Sequence, residues 1–367
     1  MLLAIMRKGQ SRFSDKEFCG RNNPPANVKN HQMEQQKSNR PLKRPRRQAS
    51  AATATTAPTY LGNEKFSSLL TCQSRFIVFT GSGISVSAGL PTFVDHLYQK
   101  AAKQCSLRHK KEDSGSKVFS FHFLESRPND CFSFFYGLYK KVKKAVPTRT
   151  HYVLRTMEET KQLVRHYTLN IDNLAEATGM SRWSTTQNPS GITVELHGNL
   201  NELVCRQCHS VFKTDTIKIT KSSIPRCPRD NCGGNLRFRV LLYDDKEAVL
   251  MNEGNPLEHL LPKDLEECSA IIWVGISFQQ SASCHHFAKV WEAIQEKVVR
   301  KGKRKVPVFI VDPNPNQVLD NLSDGMQMQI DESSGLYFIK SESDVFFEQL
   351  SNSKARNAVV GEEESFK

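Results

Sequence analysis

Three short runs of consecutive apolar residues recur along the chain, and each one predicts a buried strand. They cover residues 75–80 (RFIVFT), 269–275 (SAIIWVG) and 306–311 (VPVFIV). Runs that are apolar at successive positions, and not at alternate ones, are typical of strands that are covered on both faces. A parallel sheet enclosed by helices buries its strands in this way.

Helical stretches lie between these predicted strands. They cover residues 131–145, which Pro147 closes, and residues 284–299. Because strand and helix alternate, we expect an α/β fold with a Rossmann-like, doubly wound parallel sheet. The chain has 367 residues, of which 38% are hydrophobic, so it can bury a sizeable core. We place this domain at residues 61–350.

A segment at residues 200–238 interrupts the alternation of strands and helices and holds too few apolar residues for a core of its own. Two residues separate Cys205 from Cys208, four separate Cys227 from Cys232, and eighteen separate the two pairs. This spacing is typical of a structural zinc site, in which four thiolates leave the metal no open position for chemistry. The alternatives are a disulfide pair or free thiols. We expect a small inserted zinc-binding module.

The two ends of the chain are polar. Residues 1–60 carry twelve Lys or Arg and three Asp or Glu, and so hold +9 of the formal net charge of +13. This composition predicts a disordered basic tail that meets acidic surfaces or an import receptor, with specific nucleic-acid binding as the alternative. Within it, residues 43–47 (KRPRR) form the type of basic cluster that nuclear import receptors bind. Residues 351–367 predict a flexible, acidic tail.

No part of the sequence is typical of membrane insertion or secretion. The chain lacks the run of about 18 apolar residues that a membrane-spanning helix needs. The opening MLLAIM is followed at once by Arg7 and Lys8, which leaves an apolar stretch shorter than a signal-peptide core. Only four of the ten cysteines are grouped in pairs, a pattern that favours a reducing compartment and a metal.

A glycine-rich turn follows the first predicted strand directly. Its sequence is GSGIS at residues 81–85, with Gly89 four residues later. Glycines in a strand-to-helix turn let backbone amides approach a phosphate group at the positive end of the helix. Taken alone, the pattern is also compatible with an ordinary tight turn, because any such turn uses glycine.

Five sequence features together closely resemble the sirtuins, the NAD-dependent protein deacylases. In chain order they are GSGISVSAGLPTF at 81–93, TLNIDNL at 168–174, LHGNL at 196–200, the four cysteines and VGIS at 274–277. The resemblance spans roughly residues 70–345, and phrases such as SVSAGLP and VLLYDD are similar to fungal nuclear sirtuins that act on histones. It implies a Rossmann-like domain with a small zinc module. The apolar runs and the cysteine spacing also indicate these two parts.

The resemblance implies a role in NAD binding for three groups of residues. The turn formed by Gly81, Ser82, Gly83, Ile84 and Ser85 would hold the pyrophosphate. The nicotinamide pocket would be lined by Asn170, Ile171 and Asp172. The adenosine side would be contacted by Gly275, Ser277 and Asp312, whose carboxylate would accept a hydrogen bond from a ribose hydroxyl.

The resemblance also implies the catalytic residues, His197 and Asn170. His197 matches the family's general base, which takes a proton from a ribose hydroxyl after the acyl oxygen has displaced nicotinamide. An imidazole with a reference pKa near 6.5 is suited to accept that proton near neutral pH. Residues 240–243 correspond to the strand that binds an acyl-lysine peptide as an added strand.

Three departures from the family pattern are expected to weaken cofactor binding. Val94 stands where the family has arginine, in a loop that is shortened before Leu97 and Tyr98. Leu169 replaces a glutamine, and its side chain cannot form a hydrogen bond with a ribose. Asp244 and Asp245 replace Gly-Glu after the substrate strand, which puts a side chain where the family has none.

The sequence therefore predicts a nuclear, zinc-containing, NAD-dependent lysine deacylase that acts on histones or other basic nuclear proteins. Its products would be nicotinamide and O-acyl-ADP-ribose. The alternative is a sirtuin-like module that binds NAD or a peptide without turnover, as a scaffold or sensor. A nucleic-acid-binding zinc ribbon is disfavoured, because the cysteine segment offers only Phe212 and Phe238 as aromatic residues for base stacking.

Overall fold

The computed structural model describes residues 59–60, 66, 74–92, 118–252, 254–301, 306–326 and 335–351, which form two β-sheets and the helices around them. The strands of the larger sheet are β1 (Thr59–Tyr60), β2 (Phe76–Thr80), β3 (Leu163–Thr168), β4 (Thr193–Glu195), β8 (Ala270–Val274), β9 (Val308–Asp312) and β10 (Leu336–Lys340). The strands of the smaller sheet are β5 (Gly198–Cys205), β6 (Val211–Lys213) and β7 (Leu236–Val240).

Helices connect the strands. They are α1 (Phe121–Ser126), α2 (Pro128–Val142), α3 (Arg149–Glu159), α4 (Leu174–Ala177), α5 (Val249–Asn252), α6 (Pro256–Glu267), α7 (Ser281–Lys301) and α8 (Pro315–Met326), with a further helix at 343–351. Two short 3-10 helices lie at Ser82–Ser85 and Thr214–Thr216. None of the helices in the described ranges is long and apolar enough to cross a membrane.

The larger sheet is parallel throughout, and its strand order is β1-β10-β9-β8-β2-β3-β4. From β2 the chain proceeds to β3 and β4 on one side, and later fills β8, β9 and β10 on the other. The order therefore reverses beside β2. In open α/β sheets, ligands bind outside the carboxyl ends of the strands at such a point.

The core is divided between the two faces of this sheet. On β2, Ile77 and Phe79 pack into one apolar cluster, and Phe76 and Val78 pack into another. All five residues of β2 and of β8 are buried. This confirms the two-sided burial and the α/β fold that the apolar runs predict.

The smaller sheet shares its core with the preceding helices. Leu203 and Phe238 of β5 and β7 pack in one cluster with Phe132, Phe135 and other apolar residues of α1 and α2. Phe132 and Phe238 stack with ring centroids 5.1 Å apart. The cysteine segment thus lacks an apolar core of its own, as predicted, and obtains one from helices outside it.

Glu202 on β5 ties the smaller sheet to the larger domain. Its carboxylate accepts hydrogen bonds from Arg182 Nη1 at 2.6 Å, in the loop before β4, and from Arg239 Nη1 at 2.8 Å, on β7. Burial alone would raise the pKa of Glu202, but the two guanidinium groups lower it to about 2. The carboxylate is therefore charged at neutral pH and joins the two parts.

Most predicted element boundaries agree with the structure to within a few residues. The predicted helix at 131–145 is α2, which begins earlier at Pro128, and the predicted helix at 284–299 lies within α7. Thr59–Tyr60, assigned to the end of the basic tail, instead pair with β10. The rest of that tail, including residues 43–47, and residues 352–367 lie outside the described residues. The proposed domain limits stay a prediction.

Candidate active site

The glycine-rich turn makes close backbone contact with the loop after β8. Gly83 N donates to Gly275 O at 2.9 Å, and Gly81 N donates to Val274 O at 3.1 Å. A Cβ on Gly83 would lie 2.6 Å from Gly275 Cα, and one on Gly275, whose φ is +66°, would lie 2.7 Å from Ile84 N. Only glycine fits this approach, which brings the carboxyl ends of β2 and β8 together at the point where strand order reverses.

A cavity of about 230 Å³ opens beside this turn, between the larger sheet and the smaller one. Its lining includes nine of the sequence-predicted site residues, Gly81, Ser82, Ser85, Asn170, Ile171, Asp172, His197, Gly275 and Ser277. The structure thus brings together positions that are far apart in the sequence.

Three predicted cofactor residues, Gly83, Ile84 and Asp312, do not line the cavity. Gly83 and Ile84 stabilise the turn through backbone hydrogen bonds to Gly275 O and Gly81 O. Asp312 lies at the end of β9, where burial raises the pKa of its carboxyl group and Asn314 N donates to its Oδ1 at 2.8 Å. Its predicted contact with a ribose remains untested.

Hydrogen bonds connect the turn to the segment after β3. Ser85 Oγ donates to Asp172 Oδ2 at 2.6 Å and accepts from Asn170 Nδ2 at 3.3 Å. Asn170 N is held by Thr168 Oγ1 at 3.1 Å. Asn170 is buried, so its amide is fixed in position instead of sampling solvent. This network holds the amide of Asn170 and the carboxylate of Asp172 at the cavity wall.

His197 lies between β4 and β5 and faces the same cavity. Its Nδ1 is 3.1 Å from Leu169 O. A carbonyl can only accept, so Nδ1 carries the proton and Nε2 carries the lone pair. Burial lowers the pKa of His197 to about 4, although the hydrogen bond to Leu169 opposes this shift. At neutral pH the side chain is therefore an uncharged imidazole whose Nε2 can accept a proton.

A second histidine, which the sequence analysis did not single out, contacts this nitrogen. His286 Nε2 on α7 is 3.3 Å from His197 Nε2. Burial, and after it the nearby His197, His285 and Lys289, lower the pKa of His286 to about 3. His286 follows one position after His285 inside a predicted helix, and no motif marks it. Only the packing of α7 against the cavity reveals the pair.

His166 provides a contrast, because it is locked on both ring nitrogens. Its Nε2 is 2.8 Å from Thr80 Oγ1 and its Nδ1 is 3.2 Å from Thr193 Oγ1. It is fully buried on β3, and burial lowers its pKa to about 3. Its partners are on the neighbouring strands β2 and β4, so His166 is a structural core residue.

The structure gives physical roles to Asp244 and Asp245, the two residues of one departure. Asp244 adopts a left-handed backbone conformation with φ of +54°, at the position where the family has glycine. The Asp245 side chain is fully buried, and its carboxylate pairs with Arg237 and accepts from Leu242 N at 3.1 Å. Asp245 therefore anchors the loop after β7. Val94 lies outside the described residues.

The expected substrate strand is shorter than predicted. Strand β7 ends at Val240, so residues 241–243 are not part of it. Tyr243 N donates to Phe119 O at 2.7 Å, and Leu241 N donates to His197 O at 2.9 Å. The amides of Leu241 and Tyr243 already have partners inside the chain. An added strand would therefore have to pair with other backbone groups of residues 240–243.

The four cysteines converge at one end of the smaller sheet. The Sγ atoms of Cys205 and Cys232 are 3.6 Å apart, as are those of Cys208 and Cys227, and all four lie within 4.8 Å of one another. Zinc–sulfur bonds of about 2.3 Å at a tetrahedral angle require sulfur atoms about 3.8 Å apart. The donor set and spacing fit one structural zinc ion. The seven cysteines that the structure describes form no disulfide, which removes that alternative for these four.

Comparison with known proteins agrees with this geometry. The Sir2 family model matches residues 81–282, which is more than half of the chain. A solved Sir2 homologue in complex with NAD superposes with a TM-score of 0.58 at 19% identity, and the match covers 82% of this chain and 98% of that chain. At this identity the superposition shows the fold alone.

Curated relatives are similar over part of their length. The NAD-dependent protein deacetylase hst2 of Schizosaccharomyces pombe is 25% identical over 279 residues, which cover 71% of this chain and 76% of the relative. The NAD-dependent histone deacetylase HST3 of Saccharomyces cerevisiae is 31% identical over 205 residues, which cover 50% and 44%. The match to sir2D of Dictyostelium discoideum covers 59% of this chain and only 37% of that protein.

Proposed function

Because the chain belongs to the Sir2 family, we propose that it is an NAD-dependent protein-lysine deacylase that releases nicotinamide and O-acyl-ADP-ribose. The observation that carries this proposal is the cavity at the strand-order reversal. It combines a glycine turn suited to a pyrophosphate, the Asn170–Ser85–Asp172 network and an uncharged imidazole at His197. The relatives hst2 and HST3 are named as NAD-dependent deacetylases, which supports the same reaction.

The residues present fit the cofactor. Gly81, Ser82 and Gly275 line the cavity at the carboxyl edge of the sheet, where the backbone of a glycine-rich turn would hold phosphate groups. Asn170 and Asp172 would hold the nicotinamide end. When bound, NAD supplies the ribose carbon that takes the acyl oxygen in place of nicotinamide. His197 Nε2 then accepts the proton of a ribose hydroxyl, while Leu169 O holds Nδ1–H and stabilises the imidazolium.

The proposed zinc ion has a structural role. The four thiolates Cys205, Cys208, Cys227 and Cys232 would complete its coordination, so it has no open position for a reactant. It would hold the smaller sheet together, and this sheet supplies Leu200 and Val240 to the cavity wall.

A histone or another basic nuclear protein is the substrate that we propose, in the nucleus. The histone deacetylase name of HST3 supports this assignment, although the match covers half of this chain. The cluster at residues 43–47 supports entry through an import receptor. Replacing its four basic residues with alanine in a tagged copy should abolish nuclear accumulation, and unchanged accumulation would contradict this part.

Product analysis tests the proposed reaction. Purified protein incubated with NAD and an acetylated histone peptide should form nicotinamide and O-acetyl-ADP-ribose in equal amounts, as measured by mass spectrometry. The second candidate is a binding scaffold, which Leu169 favours, because its apolar side chain lines the cavity where the family has an amide. Binding of NAD without either product would establish the scaffold.

A further inference from the structure

The lone pair of the candidate base is already engaged by His286. Since His197 Nδ1–H faces Leu169 O, the bare Nε2 of His197 must accept the 3.3 Å hydrogen bond from His286 Nε2–H. Both ring nitrogens of His197 therefore have partners. Because Nε2 has a single lone pair, a substrate hydroxyl that donates to it must replace the hydrogen bond from His286.

His286 does not itself line the cavity, but it lies one helical turn beyond two residues of α7 that do, and it contacts His197, which also lines it. Ala282 and Ser283, which precede it by four and three positions on that helix, both line the cavity. Residues with this spacing share one helix face. The ring centroids of His197 and His286 are 5.4 Å apart and their planes are inclined at 39°.

Only one hydrogen bond holds the His286 ring in place among the described residues. With Nε2 as the donor, its Nδ1 carries a lone pair, and this atom is buried without a hydrogen-bond partner. The ring of His166, by comparison, is fixed at both nitrogens. Displacement of the His286 ring therefore breaks only one hydrogen bond of its side chain.

We propose that His286 is a second catalytic residue, which donates a hydrogen bond to the same ribose hydroxyl that His197 deprotonates. The proposal rests on the proposed function. The hydroxyl enters between the two rings, donates to His197 Nε2 and accepts from His286 Nε2–H. The O–H bond breaks as an N–H bond forms on His197, and the electron pair stays on oxygen. His286 keeps its own proton and stabilises the negative charge that develops on that oxygen.

This role also explains how the site functions with leucine at position 169. The Leu169 side chain offers no hydrogen bond, and its backbone carbonyl orients His197. The donor for the ribose then comes from α7 and not from the segment after β3. A neutral imidazole is well suited to this task, and the depressed pKa of His286 keeps it uncharged near neutral pH, so that it does not repel the imidazolium of His197.

The test compares His286→Leu, His286→Gln and the matched control His285→Leu, which changes the exposed neighbour. Calorimetry with NAD should give a dissociation constant two- to tenfold larger in His286→Leu, the loss expected for one hydrogen bond. The value of kcat for O-acetyl-ADP-ribose formation should fall about a hundredfold, as when a donor to a developing oxyanion is removed. His286→Gln retains an N–H donor and should recover part of both losses, whereas His285→Leu should resemble the parent.

Each outcome decides between specific alternatives. If the parent does not bind NAD, the proposed function itself fails. If the parent binds NAD and forms O-acetyl-ADP-ribose but His286→Leu is unchanged in both, the inference about His286 fails alone. Tighter NAD binding or faster turnover in His286→Leu would also overturn it, because His286 would then only obstruct the base. A variant that unfolds would be recognised by thermal unfolding, and the Gln variant would then provide the comparison.

Discussion

The parallel sheet and the four-cysteine lobe, formed by β5, β6, β7 and their connecting loops, achieve stability in different ways. In the sheet, every residue of β2 and β8 is buried in two apolar clusters. In the lobe, two of the three residues of β6 are exposed. Its fold depends on buried ion pairs, on aromatic packing against α1 and α2, and on the cysteine cluster. Damage to the sheet should therefore follow lost apolar volume, and damage to the lobe should follow lost metal.

The largest expected effect follows removal of one cysteine ligand. Cys227→Ser should lose the zinc ion and unfold the lobe, because metal binding supplies roughly 10–16 kcal/mol in small zinc domains and the lobe has no separate apolar core. Elemental analysis and thermal unfolding measure both effects. Cys268→Ser, which changes a cysteine outside the cluster, should retain one equivalent of zinc. Less than half an equivalent of zinc in the freshly purified, unoxidised parent would contradict the zinc site.

Loss of an aromatic residue from the sheet should have the opposite signature. Phe79 stacks between Tyr167 and Trp273, with centroid distances of 4.8 and 4.0 Å. Phe79→Ala should lower the free energy of unfolding by about 3–5 kcal/mol through a cavity, and zinc content should stay unchanged. Chemical denaturation with parallel metal analysis measures the two. Loss of zinc in this variant would show that the two parts are not independent in stability.

The sheet could be predicted from the sequence more fully than the lobe and the site. Unbroken apolar runs predict burial on both faces, and the spacing of the four cysteines predicts a metal site, which their convergence in the structure supports. The packing of α7 onto the cavity involves tertiary contacts without a local signal, which is why His286 was missed. The end of β7 at Val240 depends on the hydrogen bonds of Phe119 and Asp245 with the following loop, which come from distant or irregular sequence.

Acid should destabilise the sheet through His166 between pH 6.5 and about 3. The pKa of His166 is about 3 in the fold and near 6.5 when unfolded, so the unfolded chain binds the proton first as pH falls. Stability should therefore decline between pH 6.5 and 3, with a contribution of about 1.4 kcal/mol per pH unit from this residue, and should not change above that range on its account. Unfolding curves of the parent and His166→Gln measure the slopes. Equal slopes would contradict the assignment.

The smallest expected effect concerns Leu169. Leu169→Gln adds an amide to the cavity wall without changing the backbone carbonyl that holds His197. One regained hydrogen bond of about 0.5–1.5 kcal/mol should lower the Michaelis constant for NAD two- to tenfold. Steady-state kinetics measures this change, with Leu169→Met as a control that adds length but no donor. An equal gain in both variants would assign the effect to packing.

The pH dependence of O-acetyl-ADP-ribose formation tests the role of His197 most directly, because His197 acts after nicotinamide has been displaced. With an acetylated histone peptide, kcat/KM of the parent should stay level from pH 8 to about 5.5, because a base with a pKa of about 4 remains deprotonated there, and should fall only as pH approaches that value. His197→Ala should be slower by about 10²–10⁴-fold throughout. A parent profile that halves near pH 6.5 would contradict the buried base, and unchanged turnover in His197→Ala would contradict its role altogether.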